Sequence, residues 1–270
     1  MARILVISSQ VVSGHVGLSA MQPAMQALGH DVLALPTIVL SNHPGQQPAS
    51  GTRIEPAVLA TILETLDTNG RLNQIDAVLT GYLPSAAHVD VAAAAIIRCR
   101  RHNPNARILC DPVLGDDPKG LYIDPAAANA IRATLMPLAD ILTPNRFELA
   151  WLTGQAVENC ATAVAAARTL NRPLVIATSI PAASHSATAQ LATLAIGAHA
   201  VAEAIVPRRA HAPNGTGDLL AALFLAGYLA PYATPAAVLA QAVARVDAVL
   251  AASNGDDELD LSALWPNRNA

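Results

Sequence analysis

Arg3-Ile4-Leu5-Val6-Ile7-Ser8, followed by a polar segment and then by Leu18 to Leu28 and Asp31 to Leu35, decides the fold. A short unbroken apolar run with β-branched residues suits a strand covered on both faces, as in a parallel sheet. Ser9-Gln10-Val11-Val12-Ser13-Gly14-His15-Val16-Gly17 is polar and glycine-punctuated and reads as a loop. Leu18 to Leu28 has helical spacing and ends at Gly29, a residue suited to a C-cap. Asp31 to Leu35 reads as the next strand. Strand, loop, helix, strand is the unit from which parallel α/β sheets are built.

The same rhythm continues outward. Helices are expected over Glu55 to Asn69, Val89 to Arg101, from Asp124-Pro125 onward, over Ala161 to Leu170 and over Thr234 to Ala252. Strands are expected over Ile75 to Thr80, Arg107 to Cys110, Ile141-Leu142 and Leu174 to Thr178. Gln190 to Ile196 and Ala200 to Val206 suggest a hairpin around Gly197. Ser41 to Gly51 is rich in helix and strand breakers and is a loop. No repeat, linker or boundary divides the chain, so residues 1–270 are expected to form one α/β domain, with a mostly parallel central sheet and helices on both faces.

Composition narrows the function. Hydrophobic residues make up 53% and charged ones 13% of the chain, which excludes a disordered polymer. The net charge is −4 and Lys119 is the single lysine, so no nucleic-acid surface is expected. An anion site must then use backbone N–H groups, helix ends or a metal. Cys99, Cys110 and Cys160 lack C-x-x-C spacing and suggest neither a zinc site nor a disulfide framework. The N-terminus lacks a signal-peptide pattern, and the apolar run from Leu219 to Ala230 stops at Pro231, too short for a membrane span. A cytoplasmic protein without membrane partners is the expectation.

Asn214-Gly215-Thr216-Gly217-Asp218 opens a strongly apolar helix. Taken alone, an Asp here reads as ordinary helix capping. A glycine loop at a helix start also cradles phosphate, because its N–H groups are unpaired and no Cβ keeps an anion away. Open parallel sheets bind ligands beyond the carboxyl ends of their strands. Four polar clusters fall at such ends: Ser8–His15, Gly81–Pro84, Asp111–Gly115 and Thr143–Glu148. Asn145 and Glu148 have capping-box spacing. Asp111 and Glu148 on the rim of a phosphate loop make physical sense when magnesium bridges them to nucleotide phosphates. That combination points to phosphoryl transfer. No G-x-x-x-x-G-K-[ST] loop, no H-R-D or D-F-G set and no dinucleotide-binding layout is present.

With these residues in place the chain resembles the pyridoxal kinases of the ribokinase-like superfamily. Ser9 to Ala20 resembles that family's S-x-V-V-x-G-x-x-G-N-S-A, and Ser41-Asn42-His43 its S-N-H. Gly81-Tyr82-Leu83, Asp111-Pro112-Val113-Leu114-Gly115 with Lys119-Gly120, and Thr143-Pro144-Asn145 with Glu148-Leu149 and Leu152-Thr153-Gly154 follow collinearly. The resemblance implies ATP-dependent phosphorylation of the 5′-hydroxymethyl group of pyridoxal, and of pyridoxine and pyridoxamine. It implies Asp218 as the base, the N–H groups of Gly215, Thr216 and Gly217 as the anion hole, and Ser9, Val11, His43 and Tyr82 around the vitamer. It assigns Asp111, Asn145, Glu148 and Thr178 to the ATP side, with Asp111 and Glu148 serving magnesium. It also implies a homodimer and a flap over residues 41–51, and leaves open a monovalent cation such as potassium.

The chain departs from the family pattern at four places. Pro44 stands where Thr is common, and the flap is short and lacks aromatics. Thr178 stands where relatives often carry Lys, and Leu18 replaces Asn. Hydroxymethylpyrimidine kinase, and a non-catalytic vitamer binder that kept the fold, are the alternatives.

Overall fold

The computed structural model describes residues 1–182 and 189–265. In chain order it runs β1 (Arg3–Val11), α1 (Leu18–Ala27), β2 (Asp31–Leu40), β3 (Gly51–Arg53), α2 (Pro56–Thr68), β4 (Ala77–Thr80), α3 (Ala86–His102) and β5 (Arg107–Cys110). A small hairpin of β6 (Gly115–Asp116) and β7 (Gly120–Leu121) precedes α4 (Pro125–Ala130), β8 (Ile141–Leu142), α5 (Arg146–Thr153) and α6 (Cys160–Thr169). Then come β9 (Leu174–Pro181), β10 (Gln190–Gly197), β11 (Val201–Pro207), α7 (Thr216–Tyr228) and α8 (Pro235–Ala252).

Nine strands form one sheet in the order β11-β10-β9-β8-β5-β4-β1-β2-β3. The pairings from β2 through β1, β4, β5 and β8 to β9 are all parallel, whereas β3, β10 and β11 pair antiparallel at the two edges. The alternation in β1 splits the core. Ile4 and Val6 face α1, α7 and α8, while Leu5 and Ile7 face the cluster built by α2 to α6. Helices therefore cover both faces, as the buried apolar strands require. By length and composition α8 could cross a membrane, yet it lays Val238, Leu239, Ala242, Val243, Val246 and Val249 into this core, in contact with α7 and β11.

The expected elements are present, with corrections at their ends. β1 continues through Ser9, Gln10 and Val11, which the sequence had suggested as loop, because Gln10 and Val11 resume pairing with Val39 and Leu40 of β2 after a register shift at Ser9. β2 likewise runs on to Leu40, and β9 to Pro181. β4 starts at Ala77 rather than Ile75. The strand pairs β2–β3 and β6–β7 were not foreseen, since strands of two or three residues carry no periodicity.

Chain order reverses at β1: β2 lies on one side of it and β4 on the other. The loops leaving β1 and β4 thus diverge and open a crevice beyond their carboxyl ends, the usual ligand position in such sheets.

Candidate active site

Gly215 forms the N-cap of α7 in the left-handed region, with φ 89°, and no side chain caps this helix. A Cβ at Gly215 would lie 2.0 Å from the carbonyl oxygen of His15, so the loop rests directly on the β1–α1 connection. Gly217 is exposed with nothing within 4 Å of where its Cβ would be, so the first turn of α7 has open space on that side. The Thr216 hydroxyl donates to the Pro213 carbonyl at 2.8 Å.

Asp218 corrects the capping reading. It is the third residue of α7, and its Oδ2 accepts the Gly17 N–H at 2.8 Å. Gly17 is itself constrained: at φ 55° its hydrogen faces the Ser9 carbonyl and hydroxyl, each 2.3 Å from a hypothetical Cβ. Two glycine contacts thus hold the Gly215 loop and the β1–α1 connection against the end of β1. Burial pushes the Asp218 carboxyl up to about 6, the Gly17 N–H opposing the shift, although part of the residue still reaches solvent.

Glu148 and Asn145 form the expected capping box at the start of α5. Glu148 is buried; its Oε1 accepts the Leu114 N–H at 2.7 Å and its Oε2 the Asn145 N–H at 2.9 Å. Asn145 also donates to the Gly115 carbonyl at 2.8 Å, tying α5 to the β6–β7 hairpin. Asp111, buried at the end of β5, accepts the Thr143 hydroxyl at 3.0 Å. Burial raises the Asp111 carboxyl well above its ordinary range, with Glu148 and then Asp218 adding to the shift. Glu148 is raised to about 7 by burial, against the pull of the Asn145, Leu114 and Gly115 N–H groups. The three acids predicted on separate segments therefore share one electrostatic field.

Tyr122 joins them and was missed. Although 52% of Tyr122 is exposed, its hydroxyl is pushed up by the partial burial beside the acids and then by the negative charge of Glu148, Asp111, Asp218 and Asp116. Only its position directly after β7, in the segment that follows Asp111, could have signalled it.

Among the described residues no three His, Cys, Asp or Glu side chains stand close enough to cage a metal. The donor chemistry still fits magnesium, which takes one or two carboxylates and fills its other positions with waters and substrate phosphates. Asp111 and Glu148 are buried acids whose ionisation is penalised, and a nearby cation would favour their charged forms. Among the described residues the second carboxylate oxygen of Asp111 accepts no hydrogen bond and suits direct contact, whereas both oxygens of Glu148 already accept N–H groups and suit a water-mediated role. Glu148→Gln should cost about 1–3 kcal/mol of stability, because the new NH2 must face a backbone N–H that loses its acceptor. Thermal unfolding checks this, and a melting temperature equal to wild type would remove Glu148 from its structural role.

The other predicted residues divide in two. Of the residues expected near the nucleotide, the Thr178 N–H donates to the Pro144 carbonyl at 3.0 Å, and Thr178 bridges to Asn145. Of those expected near the vitamer, Ser9 sits at the register shift of β1 with its hydroxyl beside Gly17. Val11 is only 2% exposed, and the Ser19 hydroxyl holds both its N–H and its carbonyl, so it backs the wall and offers little surface. The Tyr82 N–H donates to the Ser8 hydroxyl at 3.1 Å, while its side chain leans on the α2–α6 core. His43 Nδ1 accepts the Gly45 N–H at 3.1 Å, and its ring is held below the usual imidazole range by burial and then by Lys119. The 41–51 loop is closed at its neck by Ser41 and Ser50, and at Gly45 it approaches the Asn214 side chain. Pro44 is exposed beside that approach.

A family model described as phosphomethylpyrimidine kinase matches residues 13–257. Pyridoxal kinase PdxY of Deinococcus radiodurans is 40% identical over 235 residues, 84% of this chain and 78% of that protein. The pyridoxine/pyridoxal/pyridoxamine kinase of Bordetella avium is 37% identical over 269 residues, 98% of this chain and 90% of its own. Pyridoxal kinase from Leishmania donovani, in complex with ADP and pyridoxamine, superposes with a TM-score of 0.86 at 30% identity, covering 96% of this chain and 93% of that one. The collinear motifs, the ribokinase-like sheet and these matches agree: the chain belongs to the phosphomethylpyrimidine kinase family and, within it, to the pyridoxal kinases.

Proposed function

We propose that this protein is an ATP-dependent pyridoxal kinase that phosphorylates the 5′-hydroxymethyl group of pyridoxal, and of pyridoxine and pyridoxamine. The observation that carries the reading is Asp218: a carboxyl poised near neutrality, fixed by Gly17, on the first turn of a helix that has open space at Gly217. A base works best with a pKa close to the operating pH. Asp218 takes the hydroxymethyl proton, the alkoxide oxygen attacks the γ-phosphorus, and the bond to the ADP oxygen breaks. The N–H groups of Gly215, Thr216 and Gly217 receive the charge spread over the transferring phosphoryl oxygens, aided by the positive end of α7. Asp111 and Glu148 would hold magnesium, directly and through water, and the ion would neutralise phosphate charge. Asn145 and Thr178 lie on the ATP side, and Ser9, His43 and Tyr82 on the vitamer side. A cytoplasmic homodimer with a 41–51 flap is part of the same reading and rests on the family resemblance.

The runner-up is a hydroxymethylpyrimidine kinase, favoured by the description of the matching family model and by Pro44, which offers no donor to a pyridine substituent. ADP release measured with pyridoxal, pyridoxine, pyridoxamine and hydroxymethylpyrimidine decides between them. Turnover with pyridoxal at least tenfold above the pyrimidine is expected; the reverse order overturns the vitamer assignment.

A further inference from the structure

A cavity of about 310 Å³ lies away from the catalytic rim. It is bounded by the amino ends of β5, β8 and β9 and by the turn joining α7 to α8, with Arg107, Leu174, Val201, Tyr228 and Ala236 in its wall. The catalytic crevice is at the carboxyl ends of the same parallel strands, so the two lie at opposite edges of the sheet. The 13-residue α7 runs between them, roughly 20 Å from anion loop to Tyr228.

Its chemistry is that of a ligand pocket: apolar walls with a few convergent polar groups. The Tyr228 ring is stacked on Phe224, with centroids 5.6 Å apart, which fixes it as a flat surface. The Arg107 guanidinium stands 5.9 Å from the centre of the Tyr228 ring and makes no hydrogen bond or ion pair among the described residues. At the start of α8 the Thr234 hydroxyl accepts the Ala237 N–H, leaving the Ala236 N–H without a hydrogen bond among the described residues, beside the positive helix end. The one acid in the wall, Asp140, is already occupied by the Arg100 guanidinium at 2.9 and 3.0 Å and by the Ile108 N–H at 2.8 Å. Cation, free N–H and ring therefore leave one negative charge and one flat apolar body to be supplied.

We propose that this cavity binds a small aromatic carboxylate, its ring against the apolar wall beside Tyr228 and its carboxylate on Arg107. A planar carboxylate matches the guanidinium fork, whereas a phosphate dianion would bring a second charge toward Asp140. The site does not depend on the kinase reading. The test titrates 1-naphthoate into the full chain saturated with ADP and pyridoxine, followed by calorimetry. The expected dissociation constant is below about 1 mM. Arg107→Gln should weaken binding at least tenfold, and Ala236→Trp, an exposed position at the cavity mouth, should abolish it, while both variants keep wild-type kinase turnover as proof of folding. Absence of naphthoate binding, displacement of naphthoate by pyridoxine, or undiminished binding to Arg107→Gln would overturn the proposal.

Discussion

Asp218→Asn should lower kcat by roughly 10²–10⁴-fold while making the protein more stable. The loss of activity follows from removing the base without removing the contact, since the Asn oxygen can still accept the Gly17 N–H. The gain in stability follows from the sign of the carboxyl shift. In the fold Asp218 titrates at about 6 against an ordinary 3.8. Its ionised form is therefore disfavoured in the native state. That cost is absent below the ordinary value, grows as pH rises toward 6 and is fully present above it. Two pKa units correspond to about 3 kcal/mol as an upper bound, and partial solvent access reduces it, so about 1–3 kcal/mol is expected at pH 7.5. For a chain of this size each kcal/mol moves the melting temperature by about 2–4 °C. Wild-type kcat should in turn show an acid limb near pH 6, where the base becomes protonated. Thermal melts of ligand-free protein and a pH–rate profile measure both; a variant that turns over normally, or melts no higher than wild type, removes Asp218 from its assigned place.

Gly215→Ala should cost about 1–3 kcal/mol of stability and lower kcat by about 10²–10³-fold, with little change in KM for the vitamer. Two effects combine. An L-residue at φ 89° is strained, and its methyl would meet the His15 carbonyl at 2.0 Å, so the loop must lift off the β1–α1 connection. Lifting it moves the N–H groups that would receive the phosphoryl charge. Gly217→Ala is the contrasting variant. Its methyl meets nothing in the protein, and alanine favours a helix, so the fold should hold or gain while the methyl intrudes where phosphate must lie. Equal melting temperatures for the two variants would show that the His15 contact does not anchor the loop; normal turnover by both would remove the loop from the anion hole.

Much of this site was legible in the chain. The capping box of Asn145 and Glu148 and the N-cap of Asp124 formed as their spacing requires, because capping is a local interaction between residues two or three apart. Tyr122 was not legible, since its relation to Asp111, Glu148 and Asp218 spans distant segments and no pattern in sequence encodes it. The ends of β1 and β2 were also missed. β1 carries on past the polar Ser9 and Gln10, and β2 past Pro36, a residue that reads as a strand breaker; in both, pairing across the register shift rather than apolar periodicity defines the strand.

The sequence by itself determined the alternation of strand and helix, the two-faced core and the residue types needed for phosphoryl transfer, because periodicity, burial and local turn chemistry act over short spans of chain. Only the tertiary structure decided how Asp218 is held. From its spacing alone it reads as a capping acid, and the family resemblance is what implies a base. In the fold its carboxylate is turned away from its own helix to Gly17, some two hundred residues earlier, and burial there holds its proton near neutrality. Desolvation and a long-range hydrogen bond set that pKa, and neither exists until β1, α1 and α7 have packed.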